Sequence, residues 1–232
     1  MRRVLALLMV AAASLILASC DDVLMERPLS DEKTSIFDAR LLGEWIPATE
    51  SSRDEQDTFF FGRNEQDKNT LDLIWLAKRR DERIVSAPFQ AFVTVANKRY
   101  ISFVYRGKED NSREAKLAIA YKYEMPDDET LWLWSIDWKF MKAAIERREM
   151  HGVVATRSVA AASRVDENGK TVRTPILALR PWERPEGSNI ELTDAPSKIL
   201  AFLERNDAAC FQDGALKIYT RVPRLSILRK DH

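Results

Sequence analysis

KLAIAYKYEM, residues 116–125, decides the architecture: Leu117, Ile119, Tyr121, Tyr123 and Met125 alternate with Ala118, Ala120, Lys122 and Glu124. Strict alternation places the first set on one face of an extended chain and the second on the other, the pattern of a half-buried strand. Runs rich in aromatic and β-branched residues flank it at 42–47, 58–61, 71–78, 89–96, 100–106 and 130–136, with a last candidate at 216–222. Charged residues, glycine or proline punctuate them, as turns between strands require. Short strands at regular spacing predict an antiparallel meander, closed as a barrel or paired as a sandwich.

Two helices interrupt the strands. After Ser135-Ile136-Asp137, where Ser135 or Asp137 is able to cap, Trp138, Met141 and Ile145 fall at helical spacing and Arg147 and Arg148 sit where the helix dipole favours cations. This predicts a helix over about 138–149. A second, over about 194–206, opens at Thr193-Asp194-Ala195-Pro196 and carries Ile199, Leu200 and Leu203 on one side. Both read as helices laid against a sheet. Between them, 152–190 reads as a protruding hairpin turning at Asn168-Gly169, followed by the proline-broken loop RPWERPEG that holds Trp182.

The amino terminus reads differently. Met1, Arg2 and Arg3 precede an apolar run from Val4 to Ala18 that is too short to span a bilayer comfortably. Leu17-Ala18-Ser19-Cys20 resembles the lipobox of bacterial lipoproteins. That resemblance implies removal of residues 1–19 as a signal peptide and acylation of Cys20, palmitate being the chain type, with the membrane as a partner through that lipid. Asp21 resembles the signal that keeps a lipoprotein in the inner membrane, on its periplasmic face. Residues 20–36, charged and broken by Pro28, then read as a flexible tether. The domain proper is expected over 37–222, with a basic tail over 223–232.

Composition limits the chemistry. Lysine plus arginine number 36 and aspartate plus glutamate 36, and so even a balance argues against a nucleic-acid partner. The chain holds two cysteines. With Cys20 lipidated, Cys210 has no partner within the chain, and it reads as a buried thiol, the alternative being a reactive or intermolecularly paired one. His151 and His232 are the only imidazoles, and CxxC, GxSxG and phosphate-cradling glycine runs are absent. The sequence therefore predicts no metal, no cofactor and no histidine-based catalysis. The acidic groups 53–57 and 63–67 flank one predicted strand and read as solvated turns rather than a calcium site.

Gly43-Glu44-Trp45, after Leu41-Leu42, resembles the GxW that opens lipocalin-like barrels, where the tryptophan closes one end by packing. The wider order of strands, late helix, second helix and final strand is similar to that of lipocalin-like bacterial lipoproteins. The expected fold is mainly β: an antiparallel lipocalin-like barrel with two packed helices. Trp132 and Trp134 share one face of their strand and Leu131 and Leu133 the other, so this strand is apolar on both sides.

Three functions remain open at this point. The first is a non-enzymatic, lipid-anchored envelope protein whose barrel binds a small apolar molecule, with Tyr121, Tyr123, Trp132 and Trp134 as ligand-binding candidates. The second is an envelope interaction module with a filled barrel, docking a protein through the 152–190 excursion and Trp182. The third is a carboxylate-dependent hydrolase.

Overall fold

The computed structural model describes residues 22–48, 56–78, 84–106, 117–157, 163–165, 171–173, 187–212 and 216–223. Seven consecutive antiparallel strands run around a ring: β2 (Gly43–Pro47), β3 (Gln56–Arg63), β4 (Leu71–Lys78), β5 (Ile84–Val95), β6 (Arg99–Tyr105), β7 (Ala118–Glu124) and β8 (Thr130–Ser135). The last barrel strand, β13 (Leu216–Arg221), enters between β8 and β2, so that the eight strands close into a lipocalin-like barrel. Closure leaves these ladders without a free edge.

The alternation in β7 is realised face by face. Leu117, Ile119 and Tyr123 are buried in the core inside the barrel, with Tyr121 and Met125 packed against it, whereas Ala118 and Ala120 belong to a second core on the outer wall. In β8, Leu131 and Leu133 point in and Trp134 points out. Strand β5 reaches back past Pro88, which the sequence pattern placed outside it. The Pro88 carbonyl accepts from Arg106 N (2.9 Å) just beyond the last rung of β6. The N–H that proline lacks would point to that same side, so the lost bond falls where the ladder is already ending.

The second core lies between the outer wall and α1 (Trp138–Glu146), α2 (Pro196–Arg205) and the short α3 (Asp207–Cys210). Asp137 caps α1, its Oδ1 accepting from Phe140 N at 2.7 Å. Arg148 then takes a left-handed φ of 62°, and the helix ends three residues before the sequence boundary. At α2, Pro196 holds the first turn while the carboxylate of Asp194 turns away to accept from His151 N (2.7 Å) and Lys198 Nζ (3.0 Å). No side chain caps α2, whose N-cap position is held by Ala195.

Residues 22–36 are not a tether where they are described. Asp22–Met25 form β1, parallel to β12 (Gly187–Leu192) and antiparallel to the start of β7, with Val23, Leu24 and Met25 buried. Leu29 N then donates to Ser102 Oγ (3.2 Å), the Ser30 and Ser35 hydroxyls each reach Val93 O (3.4 Å), and Ile36 N bonds Val93 O (3.0 Å). β1 thus continues the sheet beside β7, with Leu24 in the barrel core, and residues 29–36 then cross β6 and β5 as a strap. Short apolar pieces without period, broken by Pro28, gave the segment the look of a linker, and only pairing with β7 and β12 orders it.

The base of the 152–190 excursion is likewise part of the sheet. β9 (Gly152–Arg157) pairs along its length with β12, which through β1 joins them to the barrel. β10 (Ser163–Val165) and β11 (Thr171–Arg173) pair antiparallel, as the hairpin reading requires. The Asn168-Gly169 turn, Trp182, residues 1–21 and the tail from Arg224 lie outside the described residues.

Candidate functional site

The barrel lumen is the first place to look for a binding site, and aromatic rings occupy it. Phe59 on β3 and Phe103 on β6, three places apart in a ring of eight, meet with centroids 5.9 Å apart. Phe61 reaches Phe103 at 6.1 Å, and Tyr219 reaches Phe59 at 5.0 Å. Phe89 and Tyr121 also touch Phe103, at 6.2 and 5.3 Å. These are ordinary packing distances for edge and tilted rings. The lumen at this level is a side-chain core, as in small barrels whose interior is just wide enough for their own residues.

One end is closed by a 3-10 turn, Ala39–Leu41, and by Trp45, which is fully buried and donates from Nε1 to Leu41 O (2.7 Å). The Arg221 guanidinium lies 4.5 Å above the Trp45 ring and donates to Leu42 O (2.6 Å), Asp128 O (2.7 Å) and Arg40 O. Trp45 thus performs the closing role that the GxW resemblance implies. Gly43, at φ 125°, begins this strand in a backbone region that L side chains rarely adopt. A shallow surface pocket of about 430 Å³ lies here, lined by Ala39, Arg40, Asp128, Glu129 and Arg221.

Beside it, Asp38 gathers the polar groups of this end. Its Oδ2 accepts from Arg40 Nη2 (2.8 Å), Arg99 Nη1 (3.0 Å) and the Tyr123 hydroxyl (3.0 Å), and its Oδ1 from Arg40 N and Nε. Burial pushes this carboxyl up, but the bonds from Arg40 and Tyr123 outweigh it and hold the pKa below the ordinary carboxylate range. Burial, reinforced by the Asp38 charge, pushes the Tyr123 phenol well above its ordinary value. Asp38 and Tyr123 are therefore spent on locking the end of the barrel. Neither was legible as part of a network, because the partners come from three separate stretches of chain.

The four ligand-binding candidates do not share a surface. Tyr121 and Tyr123 face the interior core, whereas Trp132 and Trp134 belong to the outer core beneath the helices, their rings 5.9 Å apart. Alternation in β8 dictates this: the leucines take the lumen, so the tryptophans cannot. Trp134 instead covers Lys122, a buried lysine on the outer wall whose ammonium lies 4.8 Å from the Trp134 ring and 4.9 Å from the Phe211 ring. Lys122 Nζ also bonds both carboxylate oxygens of Asp207, at 3.0 and 3.2 Å.

Other sequence candidates are placed as follows. Cys210 is fully buried, and burial, with the nearby Asp207 and Asp137 charges, pushes its thiol up to about 12. His151 Nδ1 sits 2.8 Å from Asp194 Oδ1 at the surface. Asp57 and Asp67, from the two acidic groups, lie beyond opposite ends of β3's central residues; Asp57 accepts from Trp75 Nε1 (2.9 Å) and Lys217 Nζ (3.1 Å). Asp67 belongs to the β3–β4 turn organised by Asn64.

The outward side of β2 to β5 is the surface that the sequence reading passed over. Phe60, Ile74 and Pro88 stand opposite one another across β3, β4 and β5, and Ile46 on β2 and Ile84 on β5 lie on the same wall. Ile74 is 49 % exposed and Ile84 71 % exposed. No helix covers them among the described residues, whereas the opposite wall, at β6 to β8, lies under the strap and the helices. Comparison with family models, curated proteins and solved structures finds no match for this chain, and these residues are the ground on which its function has to be argued.

Proposed function

We propose that the chain is a lipid-anchored, non-enzymatic envelope protein whose filled barrel is a rigid scaffold, presenting the Phe60–Ile74–Pro88 wall to a protein partner. The observation that carries this reading is the meeting of Phe59 and Phe103 across the lumen. An interior occupied by its own rings favours a scaffold over a container. A run of exposed apolar side chains on the outer wall of a sheet is the kind of surface that protein interfaces cover. The lipid anchor is supported by the lipobox at 17–20. The hydrolase reading loses its best buried carboxylate, since Asp38 is engaged by two arginines and a tyrosine.

The test has two parts. Native mass spectrometry of the chain from Asp21 onward, exported behind a cleavable secretory signal that lacks the lipobox, reads lumen content directly, and the scaffold reading expects the bare protein mass. A discrete adduct of lipid mass overturns it in favour of the apolar-ligand reading. A photocrosslinker at Ile74 in intact cells should then give a defined protein adduct that Ile46→Glu abolishes, and crosslinking indifferent to Ile46→Glu refutes this wall as the docking face.

A further inference from the structure

We propose that residues 22–36 are a docking strap that holds the barrel directly on the bilayer. The β9–β12 end of the side sheet then lies against the lipid headgroups, and the Ile74 wall is turned away. This rests on the acylation of Cys20 proposed above. Cys20 precedes Asp22 by two residues, and an extended chain covers at most ~3.6 Å per residue, so their Cα atoms stand within about 7 Å. A headgroup layer is itself about 5–8 Å deep. Asp22 is already paired in β1, and Val23, Leu24 and Met25 are buried between β7 and β12. No free length of chain separates the lipid from the fold.

The strand register supplies the orientation. Asp22 is level with Asn189 on β12, and Asn189 with Ala155 on β9. Gly187, where β12 begins, faces Arg157, where β9 ends. This pair lies beyond Asp22 on the side from which the anchor arrives, so that end of the sheet meets the membrane first. The attachment of β1 is to β7, while Ile74 is on β4, three strands away around the ring of eight. A bilayer pinned at β1 does not reach that far wall, which leaves it open to a protein.

The test uses the full chain, purified with its lipid and reconstituted in phosphatidylethanolamine–phosphatidylglycerol vesicles that carry a headgroup nitroxide. A fluorophore is attached through Arg157→Cys, where β9 ends opposite Gly187, or through Ile74→Cys on β4. Cys210, being fully buried, does not compete for the label. Quenching is expected to be several-fold stronger at 157 than at 74, and a flexible Gly/Ser spacer inserted between Asp21 and Asp22 should remove the difference. Intact mass of the same sample reads Cys20. An acylated protein quenched equally at both positions, or unaffected by the spacer, overturns the strap alone; a mass without acyl chains overturns both the strap and the lipoprotein reading.

Discussion

Truncating Phe103 to alanine tests the filled lumen most directly. Phe103 is fully buried and its ring touches Phe59, Phe61, Phe89 and Tyr121, so its removal empties space bounded by four other rings. A phenyl ring occupies on the order of 100 Å³, and a residual cavity of that size costs about 2.4 kcal/mol beyond the lost transfer energy, for a total of about 3–5 kcal/mol. The barrel wall is braced by hydrogen-bonded ladders on both sides of β6, to β5 and β7, which limits collapse into the void. The variant should therefore unfold at lower urea with an unchanged slope. It should also regain part of its stability in benzene-saturated buffer, because a dry apolar cavity of about 100–150 Å³ binds benzene. The wild-type protein should show no such gain. A loss below about 1 kcal/mol, or an equal benzene effect on the wild type, would show that the lumen is already hollow and would refute the reasoning.

Four further outcomes follow from the same contacts. Asp38→Asn should destabilise by about 1–3 kcal/mol at neutral pH. Because the folded pKa of Asp38 is lowered, its stabilisation is complete above the ordinary carboxylate range and disappears as pH falls through the folded value, so the variant should show a shallower acid limb in urea titrations. Lys122→Met keeps the stem between Trp134 and Phe211 and should change stability by less than about 1 kcal/mol, whereas Lys122→Ala should cost about 2 kcal/mol or more by leaving a void. In Gly152→Ala the new Cβ would sit 2.8 Å from Glu191 O and 2.9 Å from Ile145 Cδ1, and thermal melts should register a loss of about 1–3 kcal/mol from overpacking. Cys210 should resist a thiol reagent until the protein unfolds, since its thiol is buried and its pKa is pushed up to about 12; rapid labelling of the native protein would contradict that burial.

Most of the barrel was legible because its strands obey local rules. Alternation assigned both faces of β7, and β4 at 71–78 and β8 at 130–135 appear within a residue of their expected limits. Such signals are written in neighbouring residues: a period of two needs no distant partner to be read. Trp45 as an end plug followed from a short motif, though Arg221, which covers its ring, comes from the last strand of the barrel. The candidate site was read less well. Four aromatic residues were grouped as one pocket wall because they are close in sequence, yet alternation on β8 sends its tryptophans to the outer core while β7 sends its tyrosines inward.

What the sequence determines on its own is the sequence-local part: the eight barrel strands and their faces, the two long helices, the balanced charge, and the lipobox that raises the question of an anchor. Tertiary structure alone decides that the lumen is full, that Asp38 binds Arg40, Arg99 and Tyr123, and that residues 22–36 are a strap. Each of these depends on residues far apart in the chain, and none leaves a periodic trace. A four-residue strand such as β1 has too few side chains to show alternation, and it becomes a strand only because β7 and β12 satisfy its backbone groups.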